Sequence, residues 1–410
     1  MPGRGAALNQ QTAADVPVEV RHWRNALMAA YMASGLLLAT LVSRLPALRD
    51  ELGLDHSQVG LLLLGMSAGS FLSVSLAGHL VMRFGATNVM RYGALISGLA
   101  LMGVGSTSGL LHSSILTATV LFCQGLGAAS WNVASNIQGA AMERALGRSI
   151  MPALHGFFSV GTVLGAGIGA GAAAVALPLP LHYGFMGILI IAMVLYSTRF
   201  YGEDRSRTSK DSKSKGHSLL STWKEPQTVL LGVLVLGMAL AEGAAGDWVA
   251  LALADGYGTT EATGALGYAT FVTAMTLTRL LAGDLILRMG RVWMIRASAI
   301  AALVGLLIFA FGGNLPLAFV ALAVWGMGVA LTFPLAMSAA SDDPEHAAAR
   351  VAVVSTIGYA AFLGGPPLLG LLAGFIGLLP ALGCISILVV VAFLLAKNAA
   401  GYPRGPQTAG

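Results

Sequence analysis

Charge is what this chain has least of. Of its 410 residues only 10% are Asp, Glu, Lys or Arg, against roughly 25% in a soluble domain. With 56% apolar residues and a mean hydropathy of +0.78, a water-solvated globule is excluded and lipid is the expected solvent. Cysteine is almost as scarce: Cys123 and Cys384 both lie in apolar runs, which leaves no disulfide framework and no Cys-based metal site. No cleavable signal is visible, because residues 1–22 are polar and lack a short apolar core. They are expected to be a disordered cytoplasmic tail, the first apolar run serving as an uncleaved insertion signal.

The motifs of soluble catalysis are missing too. There is no H-E-x-x-H zinc pattern and no G-x-x-x-x-G-K phosphate loop. Gly65-Met66-Ser67-Ala68-Gly69 spells G-x-S-x-G, but it falls inside a long apolar run, where no strand-to-helix elbow can form. Gly165 to Gly171 has no strand before it and is no dinucleotide loop. An enzyme is not expected, nor a metal, a cofactor or a nucleic-acid partner.

What the chain has is apolar length. A hydrocarbon core of about 30 Å takes roughly 20 residues of helix, and the apolar stretches divide into twelve spans: 25–46, 57–81, 88–108, 113–141, 153–176, 181–199, 227–250, 262–286, 293–312, 315–340, 349–373 and 376–397. If both termini are cytoplasmic, all 23 Lys and Arg residues except Arg44, Arg49 and Arg279 fall on cytoplasmic segments, as the positive-inside rule demands. The one long polar connection carries Arg205, Arg207, Lys210, Lys213 and Lys215 and reads as a solvated linker or a basic membrane-surface patch. The expected organisation is a tail at 1–22, a six-helix bundle at 23–200, a linker at 201–225, a second six-helix bundle at 226–398 and a tail at 399–410.

The halves repeat. Gly78-His79-Leu80-Val81-Met82-Arg83-Phe84-Gly85 ends the second span and Gly283-Asp284-Leu285-Ile286-Leu287-Arg288-Met289-Gly290 ends the eighth; the same offset places Gly53 on Gly258. Gln124-Gly125-Leu126-Gly127 in the fourth span parallels Trp325-Gly326-Met327-Gly328 in the tenth. A parallel duplication of six helices, with pseudo-two-fold symmetry, is the simplest account.

On these residues the chain resembles the major facilitator superfamily of secondary transporters, over nearly its whole length, and within it the bacterial branch near rhizopine-transport and fucose-symporter-like proteins. The family motif G-x-L-x-D-R-x-G-R-R is matched by Gly78, Leu80, Arg83 and Gly85, and again by Gly283, Leu285, Arg288, Gly290 and Arg291. Met82 and Leu287 stand where the family carries an acid, which argues against its charge relay while leaving the close-packing role of the glycines. The resemblance implies alternating access around a cavity lined mainly by the first, fourth, seventh and tenth spans, with these loop residues and Asp284 as gate elements.

An ionised side chain at mid-bilayer costs roughly 2.5–3.5 kcal/mol on insertion scales, so the few intramembrane charges are functional candidates. In the seventh span Glu242 lies roughly 6 Å outward of the span's centre and Asp247 roughly 13 Å, about 140° apart on a continuous helix. Glu242 is a candidate proton carrier or a carboxyl that ties helices together; Asp247 is a second coupling candidate or an interfacial residue beside Trp248. In the fourth span Gln124, Trp131, Ser135 and Gln138 share one direction within about 40°, with Asn132 and Asn136 to the side. Gln124, Trp131, Asn132, Ser135 and Asn136 read as substrate-cavity residues, Trp131 by stacking and Asn132 by hydrogen bonding, or as amide glue between helices. Arg279 is a candidate for an anionic substrate or for a structural pair near the cytoplasmic gate. Arg44 is either a snorkelling interfacial residue or the partner of Asp247 in an outer gate.

The reading is a monomeric multi-pass transporter of a bacterial inner membrane, consistent with the short outer loops and the lack of any N-x-S/T sequon. It would move a small, neutral or weakly charged polar solute, with the proton gradient as energy source. Export of a drug or metabolite by proton antiport and a transporter-like receptor stay open; the resemblance disfavours antiport, because the run from Gly161 to Gly171 lacks the proline of the superfamily's antiporter-associated fifth-helix motif.

Overall fold

Without water to satisfy backbone N–H and C=O groups, apolar segments must satisfy them internally, and helix is the form an unclosed chain can take. The computed structural model describes residues 17–146, 150–202, 219–343 and 346–400; the basic residues from Arg205 to Lys215 lie outside the described residues. Every regular element described is helical: α1 (Val18–Ser43), α2 (Leu45–Leu52), α3 (His56–Phe84), α4 (Ala86–Gly109), α5 (Ser114–Leu146), α6 (Met151–Ala174), α7 (Leu179–Ser197), α8 (Leu219–Thr222), α9 (Pro226–Leu251), α10 (Glu261–Leu281), α11 (Gly283–Met289), α12 (Arg291–Phe311), α13 (Leu315–Val329), α14 (Thr332–Ala340), α15 (Ala347–Ile376), α16 (Leu378–Cys384) and α17 (Ser386–Leu395). The first helix begins at Val18, inside the segment read as a polar tail, because Pro17 sits at its N-cap with φ −51° and cannot itself supply a helical N–H.

Among the described residues, eleven helices are long and apolar enough to cross a bilayer, against the twelve spans expected. The stretch that falls short is Glu261–Met289, which carries Glu261, Arg279 and Arg288 and is interrupted at Ala282 between α10 and α11. Large side chains that look stranded, such as Ile115 at 80% exposure and Phe375 at 86%, form the outward face that lipid covers; on a soluble protein they would be an aggregation surface.

The duplication is visible in backbone conformation and packing. Gly53 and Gly258 take φ of 62° and 64°, Gly85 and Gly290 take 82° and 78°, in the left-handed half of conformational space where glycine alone is unstrained. Asp55 caps α3 by accepting from the Gln58 N–H, and Thr260, at the equivalent position, caps α10 by accepting from the Thr263 N–H. A Cβ on Gly125 would overlap the Met66 carbonyl, and one on Gly326 would overlap the Phe271 carbonyl; Gly127 lies against Ser97 and Gly328 against Ala302. The same small residues thus draw α5 onto α3 and α4, and α13 onto α10 and α12. In α6, Gly161, Gly165 and Gly169 meet Met32, Ala39 and Ser43 of α1.

A Gly125→Val substitution is expected to cost about 1–3 kcal/mol through overpacking, read as a lower unfolding temperature of the detergent-purified protein. Gly167→Val, with nothing within 4 Å of its Cβ, serves as the neutral comparison.

Prolines inside helices leave carbonyls without their helical partners: Pro367 that of Leu363, and two others whose oxygens neighbouring helices take up. Pro334, in the first turn of α14, offers no N–H to the Ala330 carbonyl, and α13 and α14 separate at Ala330–Leu331. Pro366, inside α15, leaves the Phe362 carbonyl free in the same way. Both freed oxygens are used by other helices.

Candidate functional site

The first half (residues up to 202) and the second (from 226) meet along α3 with α15 and α6 with α10. Among the described residues, every ion pair joining the two halves lies at one end, where α1 passes into α2 and α9 reaches α10. Arg44, 3% exposed, donates from Nε to Glu261 Oε1 and from Nη2 to the Leu177 carbonyl at 3.0 Å, with His182 Nδ1 at 3.5 Å from Nη1. Arg49 donates to Asp255 Oδ2, which also stands 2.9 Å from His56 Nε2. Burial works against the Arg49 charge, but the hydrogen bonds to Asp255 and Asp50 outweigh it and hold the guanidinium above its usual range. His56 and Glu261 are the equivalent first residues of α3 and α10, so each half contributes its matching helix start to the closure.

The expected pairing of Arg44 with Asp247 is therefore corrected: the partner is Glu261. The helix carrying Asp247 continues to Leu251 and then through a π-helical turn, Ala252–Gly256, so Asp247 lies nine residues, about 13 Å, inside the end that Arg44 occupies. Next to the helix end it is Asp255, not Asp247, that meets an arginine.

The Ser57 hydroxyl donates to the Gly370 carbonyl at 3.2 Å, and further in Ser67 donates to the proline-freed Phe362 carbonyl at 3.1 Å. Further along the bundle, beside the contact of Gly156 with Leu280, stands a polar cluster. On the second half, Arg279 donates from Nη2 to Glu242 Oε1 at 2.9 Å and from Nε to the Ala330 carbonyl at 3.0 Å, the oxygen that Pro334 left free. Both side chains keep partial access, 31% for Arg279 and 24% for Glu242. Glu242 and Arg279 thus form one unit. Asp247 is half-buried and, among the described residues, has no hydrogen-bond or ion-pair partner; the hydroxyl of the buried Tyr268 lies in the field of both carboxylates. On the first half, Tyr31 donates to Asn136 Oδ1 at 2.9 Å, Asn136 donates to the Asn132 amide oxygen at 3.0 Å, and the Tyr31 and His155 rings meet edge to face at 5.5 Å. His155 lies within electrostatic reach of Arg279, which puts the two clusters face to face.

The stripe on α5 divides. Trp131 is fully buried, and Gln124, Ser135 and Gln138 are 2–3% exposed; Trp131 packs on Gly93 of α4 and Gln138 donates to Thr87 at 2.9 Å. Trp131 and Gln138 thus hold α5 to α4, and the burial of Trp131, Gln124 and Ser135 turns them away from an open cavity. The exposed Asn132 and half-buried Asn136 face the space between the halves. Helical spacing groups residues by direction but does not say which direction faces the partner.

At the end away from the closure, Gly78 and Gly283 have open space at Cβ, and Arg83 lies over the Phe84 ring at 5.4 Å. Arg291 grips Asp342 through two bonds of 2.8 and 2.6 Å, tying α12 to the end of α14 where the first half uses Thr87 and Gln138. The Asp284 side chain lies outside the described residues, and Arg288 is exposed. Arg350 pairs with Glu225 at 2.8 Å and Asp343 at 3.3 Å, all within the second half. Sequence reasoning missed Tyr31, His155, Tyr268, Asp255 and Glu261; of these only Glu261 had a sequence signal, its register with His56.

Comparison with known proteins places this geometry. The chain is 33% identical over 354 residues to an uncharacterized transporter of Sinorhizobium fredii, y4wD, covering 86% of this chain and 91% of that one. It is 28% identical over 366 residues to the membrane protein MosC of Rhizobium meliloti, covering 88% and 86%. In fold it resembles the nucleoside transporter NupG, here its D323A mutant, with a TM-score of 0.74 at 12% identity over 92% of this chain and 100% of that one. It resembles the transporter FucP in its outward conformation with a TM-score of 0.61 at 16% identity over 91% and 99%. The model of the Major Facilitator Superfamily matches residues 27–366 and 234–408, and the chain belongs to that superfamily.

Proposed function

We propose that the chain is a twelve-span secondary transporter that carries a small polar solute between its two halves by alternating access, energised by the proton gradient and needing no cofactor. The twelfth span is Glu261–Met289: Arg279 bonds Glu242 and Glu261 bonds Arg44, so neither of these two charges is presented to lipid, and Asp284 and Arg288 belong to its last turns. Charge asymmetry supports cytoplasmic termini and linker in a bacterial inner membrane. The closed end is then the outer one, and the cluster around Glu242 opens inward. The protein acts as a monomer in the bilayer, with the bundles at 23–200 and 226–398 joined by the linker at 201–225, and its partner is the solute rather than nucleic acid.

The observation that carries this reading is the Glu242–Arg279 pair, partly accessible and opposite Tyr31, His155 and Asn136 of the other half. A carboxylate whose partner and exposure change as the halves move has the property that proton coupling requires. In proteoliposomes, a solute first identified by thermal stabilisation is expected to accumulate under an imposed proton gradient. Glu242→Gln is expected to lose accumulation while retaining solute exchange down its own gradient. Full-rate accumulation in Glu242→Gln would reject the proton role; outward movement identifies an exporter, and binding without flux a receptor.

A further inference from the structure

The polar cluster contains more negative than positive charge. Glu242 and Arg279 neutralise each other, and two nitrogens of Arg279 are already occupied by Glu242 and the Ala330 carbonyl. That leaves Asp247, without a partner among the described residues, as one uncompensated carboxylate. The space beside it is shaped. Glu242 and Asp247 lie about 140° apart around α9, and Gly243 and Gly246 occupy the arc between them. A Cβ on Gly246 would meet nothing within 4 Å, while one on Gly243 would lie 3.0 Å from the Phe362 ring. Phe362 is 38% exposed, and its ring neighbours that of Tyr359, 57% exposed, at 6.3 Å. Tyr268, 3% exposed, has a hydroxyl with no hydrogen-bond partner among the described residues, in the field of Asp247 and Glu242. An open glycine floor, a lone carboxylate, a free phenol and an aromatic ring are together the chemistry that recognises an ammonium group.

We infer that the transported solute carries a positive charge and docks an amine on Asp247, above Gly246 and against the Phe362 ring. This rests on the carrier reading above and sharpens its substrate class. An anionic solute would meet a net negative surface and an arginine already engaged. A neutral solute would leave the Asp247 carboxyl without an ionic partner, so that it sheds its charge by taking up a proton and gives no preference for that solute. A cation pairs with the carboxylate directly and gains a cation–π contact of about 0.5–2 kcal/mol.

Benzylamine, benzyl alcohol and benzoate have nearly one shape and three charges. Each is added at equal millimolar concentration and matched ionic strength to the purified full-length chain, and the unfolding temperature is read. Benzylamine is expected to raise it and the other two are not. The rise is expected to vanish in Asp247→Asn and to return in Asp247→Glu. It is also expected to vanish in Gly246→Val, which fills the recess without altering charge and covers the case in which Asp247→Asn does not fold. Equal shifts from all three probes, a larger shift from the alcohol or the acid, or no shift from any overturns the ammonium site, as does a benzylamine shift that survives in a folded Asp247→Asn. If benzylamine acts as expected but reconstituted protein moves no solute, the site stands and the carrier reading falls. If solute moves and the three probes are silent, the reverse holds.

Discussion

Transport is expected to stop when Ser57→Cys and Gly374→Cys are oxidised together, and to recover fully when the bond is reduced. A Cβ on Gly374 would stand 3.9 Å from the Ser57 Cβ, within the 3.5–4.5 Å of a relaxed disulfide, whose mean is about 3.8 Å. The bond would staple α3 to α15 beside the ion pairs of Arg44, Arg49 and His56, with Cys123 and Cys384 first replaced by serine. Each single-cysteine variant is expected to transport normally, because Ser57 contributes one exchangeable hydrogen bond and its hydroxyl, 2.5 Å from a Cβ on Gly374, can rotate away. If flux persists in a fully oxidised double variant, the closed end need not open, and alternating access is wrong for this chain. The ion pairs alone do not provide such a lock: for the nearly buried Arg44 the attraction is offset by desolvation, as suits a closure that comes apart in the proposed cycle.

The second large effect concerns Glu242 and Arg279. Arg279→Met is expected to strand the Glu242 carboxylate and the Ala330 carbonyl together. Glu242→Gln strands the guanidinium more mildly, because the amide oxygen still accepts. Removal of one partner from a fully buried pair costs about 3–5 kcal/mol; with a quarter to a third of each side chain accessible, about 1–3 kcal/mol is expected for Arg279→Met. The double variant Glu242→Gln, Arg279→Met should regain part of that stability by removing both charges, while gradient-driven accumulation stays at background. Unfolding temperatures report the first quantity and proteoliposome uptake the second. Additive losses of stability would show that the two side chains do not depend on each other, and accumulation in the double variant would remove them from coupling.

How far the sequence reaches can be followed residue by residue. Membrane residence, helical spans and the half-chain repeat were legible because they depend on apolar length and glycine register, which are local. The match of Gly53 with Gly258 and of Gly85 with Gly290 reappears as matched backbone angles. The distance of Asp247 from its helix end was not legible, because the π-helical turn at Ala252–Gly256 carries the helix beyond the span read from hydropathy. Trp131 was aimed at the cavity because a helical projection gives the width of a polar face but not its partner, and here Gly93 offers the space that takes it. The cross-half pairs were illegible for a different reason. Arg44 and Glu261 are 217 residues apart, and each alone resembles an ordinary interfacial charge; only the packing of α10 against the first half brings them together.

The two prolines bear on how such a chain tolerates change. A carbonyl in an intact helix already has its hydrogen bond, so a side chain that also touches it is an optional addition. The Ala330 and Phe362 oxygens have no such standing arrangement, and in a non-aqueous interior an oxygen without a donor is a deficit. Arg279 and Ser67 are therefore creditors of nothing and suppliers of something the fold lacks: when either moves, its acceptor must find another donor or solvent. Proline has made these two contacts obligatory: Arg279 must stay with its own half's Ala330 oxygen, while at Ser67 and Phe362, which join the halves, the proposed alternation calls for water or solute at the freed oxygen.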